Sequence, residues 1–399
     1  MPPTTRLYYA EPWRREFDAR VVEVRPGTPR VAVLDRTAFY PTSGGQPFDT
    51  GTLGGARVVG VSDTDEGDVL HEIDGDLEPG AAVHGVIDWA RRFDHMQQHT
   101  GQHVLSAAFD QLQQARTESF HLGTEVSTID LGREVSPKEI DAAEAFANQV
   151  VWEDRPVAIR FVSDEEAARL PFRKPPVKSG RLRVIEVEGL DLSACGGTHV
   201  SRTGEVGVIL VRAWERYKGG TRIEFACGGR ARRAYGELRD AFSAAVRHLS
   251  VFPHELPDAI ARLQSANKDA QRDIKALRER LGEYEGKALA ASAQPCGALR
   301  TVIASVDGYD ASTLKPLVIA ASAQQGGVAV LFSGAAPVVV AAARHASATA
   351  VDCGAVVKAL CARYGGKGGG RPDMAQGGGF TAPVEELIAF VRGWVSEQA

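Results

Sequence analysis

Short runs of β-branched and apolar residues open the chain and alternate with polar turns. "RVVEVRPGTPRVAVLD" and "GARVVGVSD" are separated by Gly, Pro and Asp at intervals of about 8–12 residues up to roughly residue 90. This rhythm predicts strands that close into a small barrel or sandwich. The period changes at Asp94, read here as a helix cap. Beyond it, Val104, Leu105, Ala108, Phe109 and Leu112 recur at helical spacing within His95 to Gln114. A second helix is expected at about 137–152, with Pro137 in its first turn. Strand-like runs then return as "PVAIRFV", "LRVIEVEGLDLS", "VGVILVRAWERY" and "TRIEFACG", an order typical of an α+β domain with a mainly antiparallel sheet.

From Leu256 to Ala288 the apolar positions keep a heptad through Ile260, Leu263, Ala270, Ile274, Leu277, Leu281 and Tyr284, with Asn267 on the same seam. That spacing predicts a coiled coil whose partner is another protomer or another helix of the chain, with the amide fixing register. After "ASAQPCG", runs such as "GGVAVLFSG" and "PVVVAAARH" suggest a small α/β domain, which ends in the glycine-rich stretch "YGGKGGGRPDMAQGGG" (364–379).

Composition adds limits. A length of 399 residues suits two or three domains, and 44% hydrophobic with 24% charged residues suits a globular protein with a sizeable core. The formal net charge of −5 means that any nucleic acid must be met by local basic patches. Five scattered cysteines argue against a disulfide framework and for a reducing compartment. The N-terminus lacks a signal-peptide core, and no apolar run reaches membrane-spanning length. A cytoplasmic protein without membrane contact is expected.

His99 and His103 lie four residues apart in "HTGQH", so a helix brings both imidazoles to one face. Cys195 and His199 in "CGGTH" form a second pair, on a turn whose glycines permit unusual backbone angles. Each pair alone fits an ordinary helix or turn. Together they make a His₃Cys set of the donor types that zinc prefers, whether in a closed structural site or in a catalytic one. The turn "PTSGGQP" offers Thr42, Ser43 and Gln46, though a tight turn between strands explains its glycines equally well. "FRKPPVKSGRLRV" gathers Arg173, Lys174, Lys178, Arg181 and Arg183, with Arg202, Lys218 and Arg222 further on. This is a phosphate-seeking composition, or a solvated loop. The tail adds Lys367 and Arg371 but lacks the Walker spacing.

The motifs "FYPTSGGQPFDTG" (39–51), "HTGQH" (99–103), "FHLGTEVSTIDL" (120–131), "LSACGGTHVSRTGEVG" (192–207), "KGGTRIEFACG" (218–228) and "GGKGGGRPDMAQGG" (365–378) resemble, in order, the freestanding alanyl-tRNA editing proteins of the long form. The resemblance extends to the editing and C-terminal DHHA1 domains of alanyl-tRNA synthetase. It implies a β-barrel at 1–92, a zinc-dependent editing domain at 93–250, a helical coiled-coil linker at 251–292 and a tRNA-binding DHHA1-like domain at 293–399. It implies one Zn2+ per chain, held by His99, His103, Cys195 and His199. The activity implied is hydrolysis of the aminoacyl ester of seryl-tRNA(Ala), and of glycyl-tRNA(Ala), without aminoacylation.

In that reading Thr42 or Ser43 bonds the serine hydroxyl, with Gln46 beside them, while Gln102 and His121 orient water or the terminal adenosine. Thr100 is left as a solvated helix residue. The basic residues above would meet tRNA, and the coiled coil or C-terminal domain would form a homodimer. The competing expectation is a non-catalytic tRNA-binding protein with a structural zinc.

Overall fold

The computed structural model describes residues 3–175, 180–334 and 336–399. Lys178 therefore lies outside the described residues. Among them are two compact units, Met1–Ala245 and Val246–Ala399.

The first unit contains a barrel of six strands: β1 (Glu16–Arg25), β2 (Arg30–Leu34), β3 (Gly51–Leu53), β4 (Ala56–Asp63), β5 (Val69–Asp74) and β6 (Ala82–Ile87). They close into a barrel in the order β1-β2-β5-β4-β3-β6, with every pairing antiparallel. Inward residues alternate with exposed ones along β1 and β6. Phe17, Val21, Leu34, Phe39, Leu53, Val58 and Ile73 fill the interior.

Helix α1 (Trp89–Gln113) starts six residues earlier than the apolar spacing indicates, because Asp88 and not Asp94 is its cap. The Asp88 side chain accepts from the Arg91 backbone N–H at 3.3 Å. Asp94 instead lies inside the helix and receives Arg230 at 2.6 Å. The first turns, "WARRFD", carry the contacts to the barrel through charge, which a hydrophobic pattern cannot register. Arg92 and Asp49 form a fully buried ion pair, with Arg92 Nε 3.0 Å from the carboxylate. The guanidinium also donates to the carbonyl of Pro12 at 2.8 Å. Removing either partner would strand a buried charge, so the pair holds the barrel loop around Asp49 firmly against α1.

Behind α1 lie a four-stranded sheet and a three-stranded one, both antiparallel. The first comprises β7 (Thr117–Leu122), β8 (Ser127–Leu131), β12 (Ile209–Tyr217) and β13 (Gly220–Cys227). The second comprises β9 (Val157–Val162), β10 (Leu182–Val187) and β11 (Asp191–Ala194). Helix α2 (Pro137–Trp152) is capped by Ser136, which forms a capping box with Glu139. Val104, Leu105, Ala108 and Phe109 of α1 pack with Ile140, Ala147 and Val151 of α2 and with Ile223 and Phe225 of β13. Leu112, the last residue of the predicted stripe, is instead exposed.

The second unit has a six-stranded sheet with a single parallel pair, Leu299–Val306 with Gly327–Ser333, so it is less of an alternating α/β structure than the sequence suggests. The glycine-rich tail is an edge hairpin, Lys367–Arg371 against Met374–Phe380, and not an open loop. A Cβ on Gly368 or Gly377 would press on Val357 of the helix Cys353–Tyr364, so the glycines serve close packing and one set of their amides is used in the sheet. The helix Leu256–Ala291 spans the heptad segment. It packs on the helix Leu314–Ala321 through Gly282 and Gly286, residues outside the predicted seam. Ile260, Leu263, Ile274, Leu277, Leu281 and Tyr284 on that seam are exposed.

Candidate metal centre

The first unit brings the two histidine and cysteine pairs together. His99 and His103 sit one turn apart on the buried face of α1, and Cys195 and His199 lie on the turn that follows β11. Their four donor atoms lie within 4.8 Å of one another. Cys195 Sγ is 3.4 Å from His99 Nε2 and 3.3 Å from His199 Nε2. A tetrahedral zinc with the usual Zn–N and Zn–S bonds places such N and S atoms about 3.5 Å apart, so the donor set fits this ion. The three histidines are buried and Cys195 is partly buried.

Each imidazole is oriented through its second nitrogen. His99 Nδ1 is 2.8 Å from Gln46 Oε1, His103 Nδ1 is 2.8 Å from Asp191 Oδ2, and His199 Nδ1 is 3.2 Å from Thr100 Oγ1. Donation from Nδ1 to Gln46 and Asp191 leaves the Nε2 lone pairs facing the common centre, the arrangement in which histidine binds metals best. Gln46 also accepts from the Thr198 N–H at 3.1 Å and donates to Thr198 Oγ1 at 2.8 Å. One amide thus links the barrel turn, α1 and the cysteine turn.

The electrostatics favour a cation. Burial opposes ionisation of the Cys195 thiol, but the neighbouring His99, His199 and His103 hold it well below the usual thiol range. Burial likewise disfavours charge on His103, yet Asp191 and Cys195 outweigh it and raise the imidazole to about 9. Burial would raise Asp191, but His103 and Arg173 bring it down to about 2. His199 is lowered to about 3, chiefly by burial.

The "CGGTH" glycines serve a purpose other than unusual backbone angles. Neither Gly196 nor Gly197 has a positive φ, and a Cβ on Gly197 would collide with the His99 ring. The glycine is there for close approach. Positive angles occur instead in the barrel turn, at Gly44 (φ 54°) and Gly45 (φ 80°) between the paired Ser43 and Gln46. Two successive positive φ values match a type I′ hairpin turn.

The other predicted residues divide. Gln46 is buried at the centre, whereas Thr42 and Ser43 are exposed on the same turn. Gln102 is buried beside His103, with its Nε2 on Ser106 at 2.8 Å and its Oε1 without a partner. His121 is exposed on β7, the edge strand that also carries Phe120, whose ring lies 5.7 Å from that of His99.

Three arginines expected at phosphates already have partners within the protein, although Arg222 stays partly exposed. Arg173 donates to Asp191 at 2.6 Å, and Arg222 makes a two-pronged ion pair with Asp130 at 2.7 and 2.9 Å. Arg183 is buried and donates to backbone carbonyls. Lys174 reaches the Glu118 carbonyl at 3.3 Å and, with Arg116, Thr117 and Arg173, lines a recess of about 210 Å³. Arg181 is exposed over the Phe161 ring, and Lys367 and Arg371 are exposed on the edge hairpin.

Thr100 is not solvated: it is buried and braces His199. Asp191 was missed, although Asp191, Ser193 and Cys195 alternate along one strand face, a period-two signal readable in "DLSAC".

Residues 14–91 match the family of class II (A) tRNA synthetases. Residues 182–224 match the threonyl and alanyl tRNA synthetase second additional domain, and residues 299–397 match the DHHA1 domain. The alanyl-tRNA editing protein AlaX-L of Pyrococcus horikoshii is 33% identical over 394 residues, covering 95% of this chain and 96% of that protein. The chain belongs to the alanyl-tRNA editing family. Alanine–tRNA ligases of Methanoculleus marisnigri and Methanoregula boonei are each 36% identical to it. The chain spans 44% and 42% of their lengths, less than half in each case.

Proposed function

We propose that the chain is a zinc-dependent deacylase that hydrolyses the aminoacyl ester of mischarged seryl-tRNA(Ala) and glycyl-tRNA(Ala). The observation that carries this reading is the convergence of three imidazoles and one thiolate beside the barrel turn that presents Thr42 and Ser43. His99, His103, Cys195 and His199 would hold one zinc, whose chemistry when bound is to polarise a carbonyl or to lower the pKa of water. The chain's own groups supply orientation and selection. Gln46, Asp191 and Thr100 fix the imidazoles. The exposed hydroxyls of Thr42 and Ser43 meet the serine side chain that alanine lacks. The buried, unpartnered Oε1 of Gln102 is assigned to a water, and His121 to the terminal adenosine. A site built around a hydroxyl leaves polar groups unpaired when alanine enters, so correctly charged tRNA is spared.

In this reading residues 1–92 form the barrel module, 93–250 the editing domain, 251–292 the helical linker and 293–399 a tRNA-binding domain. Lys174, Arg181, Lys367 and Arg371 are the exposed cations assigned to tRNA. The exposed seam of Leu256–Ala291 is assigned to pairing with a second copy as a coiled coil. No helix among the described residues is long and apolar enough to cross a membrane, and action in the cytoplasm on tRNA(Ala) agrees with the tRNA substrate.

The test is hydrolysis of seryl-, glycyl- and alanyl-tRNA(Ala) with and without a chelator. Chelator-sensitive loss of serine and glycine with alanine retained is expected. Tight tRNA binding without hydrolysis would favour a binding protein with a structural zinc.

A further inference from the structure

Arg183 reads in the sequence as one more phosphate contact, but its surroundings give it a different task. It lies on β10 with only 8% of its surface exposed. Its Nε donates to the Tyr9 carbonyl at 2.8 Å and its Nη1 to the Cys195 carbonyl at 2.6 Å. Its own carbonyl accepts from the Cys195 N–H at 3.1 Å. Its Nη2 is buried without a partner, so every guanidinium nitrogen is either engaged by backbone or closed off from solvent. No donor is left to meet an incoming phosphate.

Cys195 is the point where the chain leaves the sheet. The pairing of β10 with β11 ends at Val184 and Ala194, and the next residue is the candidate sulfur ligand. Arg183 takes hold of this residue from both sides, backbone to backbone and side chain to backbone. The same guanidinium reaches across to the short 3₁₀ segment Leu7–Tyr9. That segment is itself anchored, because the Tyr8 ring packs at 5.3 Å on Tyr40, which leads into the barrel turn carrying Gln46. A planar fork can satisfy two carbonyls from fixed directions, whereas a lysine ammonium is a single point and cannot reproduce that geometry.

We propose that Arg183 is a positioning residue for the metal centre: it clamps the Cys195 turn to the Leu7–Tyr9 segment and so holds the sulfur at the common centre. This inference rests on the metal reading above.

The test uses the full chain with Arg183→Lys and Arg183→Gln. Zinc affinity is measured by competition with a chromophoric chelator, and the salt dependence of deacylated tRNA binding is measured in parallel. Loss of the clamp should weaken zinc binding by about 10- to 100-fold in both variants, the range typical of groups behind metal ligands. Lysine should give no rescue, and the slope of tRNA affinity against salt should stay at the wild-type value. Wild-type zinc affinity in Arg183→Lys would overturn the proposal. So would retained zinc affinity with a salt slope reduced by about 0.9, the signature of one lost phosphate contact. A wild-type chain that binds no zinc would overturn the metal reading and the positioning role with it, whereas zinc binding unaltered in both variants would remove the positioning role alone. Should Arg183→Gln fail to fold, Arg183→Lys carries the test.

Discussion

Gln46 Oε1 stands 2.8 Å from His99 Nδ1, and the same oxygen accepts the Thr198 N–H at 3.1 Å. A residue of the barrel turn therefore sets the orientation of one proposed ligand and fixes the backbone beside another. Gln46→Leu keeps the side-chain bulk and removes these bonds. Zinc affinity should fall about 10- to 100-fold and deacylation with it, as chelator competition and seryl-tRNA hydrolysis would register. Unaltered affinity would show that the Gln46 contact is incidental.

Asp191 plays the matching part for His103, at 2.8 Å, while Arg173 and Ser193 hold the carboxylate in place. Asp191→Asn retains an acceptor and loses the charge. Weaker zinc binding of about tenfold or more is expected, without change in the salt dependence of tRNA binding. Arg173→Gln should shift zinc affinity in the same direction, because Arg173 acts through Asp191. A reduced salt slope with full zinc affinity would return Arg173 to the phosphate role.

Thr42 is exposed on the barrel turn and is not one of the four donors. Thr42→Val should lower hydrolysis of seryl-tRNA(Ala) several-fold or more, and leave zinc content at the wild-type level. Equal seryl-tRNA hydrolysis in the two proteins would remove Thr42 from substrate selection and point to Ser43.

His71 offers a pH test in the barrel, apart from the four candidate metal ligands. Its ring is enclosed between Thr37 Oγ1 at 2.8 Å and the Ala32 carbonyl at 3.1 Å, and burial lowers it to about 4. An unfolded chain, with histidine near 6.5, takes up the proton first as pH falls. The contribution of His71 to stability is thus complete above about pH 6.5 and is lost as pH falls toward 4, an effect of about 3 kcal/mol. Urea unfolding at pH 7 and pH 5 should show a smaller pH effect in His71→Asn than in the wild-type protein. The same pH effect in both would place the loss elsewhere.

Much of this architecture could be read in the sequence, because strand alternation and helical spacing record burial of apolar surface. The barrel strands and the body of α1 fall in this class, whereas the two histidine and cysteine pairs show through donor type and spacing. What escaped was held by polar contacts. The start of α1 at Trp89 depends on Asp88 and on the Arg92–Asp49 pair, and neither leaves an apolar period. Composition shows charge but not its partner: Arg173, Arg183 and Arg222 each have one within the protein. Thr100 and Asp191 are short polar residues whose importance comes from a histidine about a hundred residues away in one case and 88 in the other. In the glycine-rich tail, composition does not show that Gly368 and Gly377 make room for Val357 of the helix packed on the hairpin.

The most direct measurement is the rate of seryl-tRNA(Ala) deacylation as zinc is returned to the metal-free chain. The account predicts a rate that rises with added zinc and levels off at one ion per chain, with Cys195→Ser failing to recover. Full activity in the metal-free chain, or recovery of Cys195→Ser to the wild-type rate at the same stoichiometry, would contradict it.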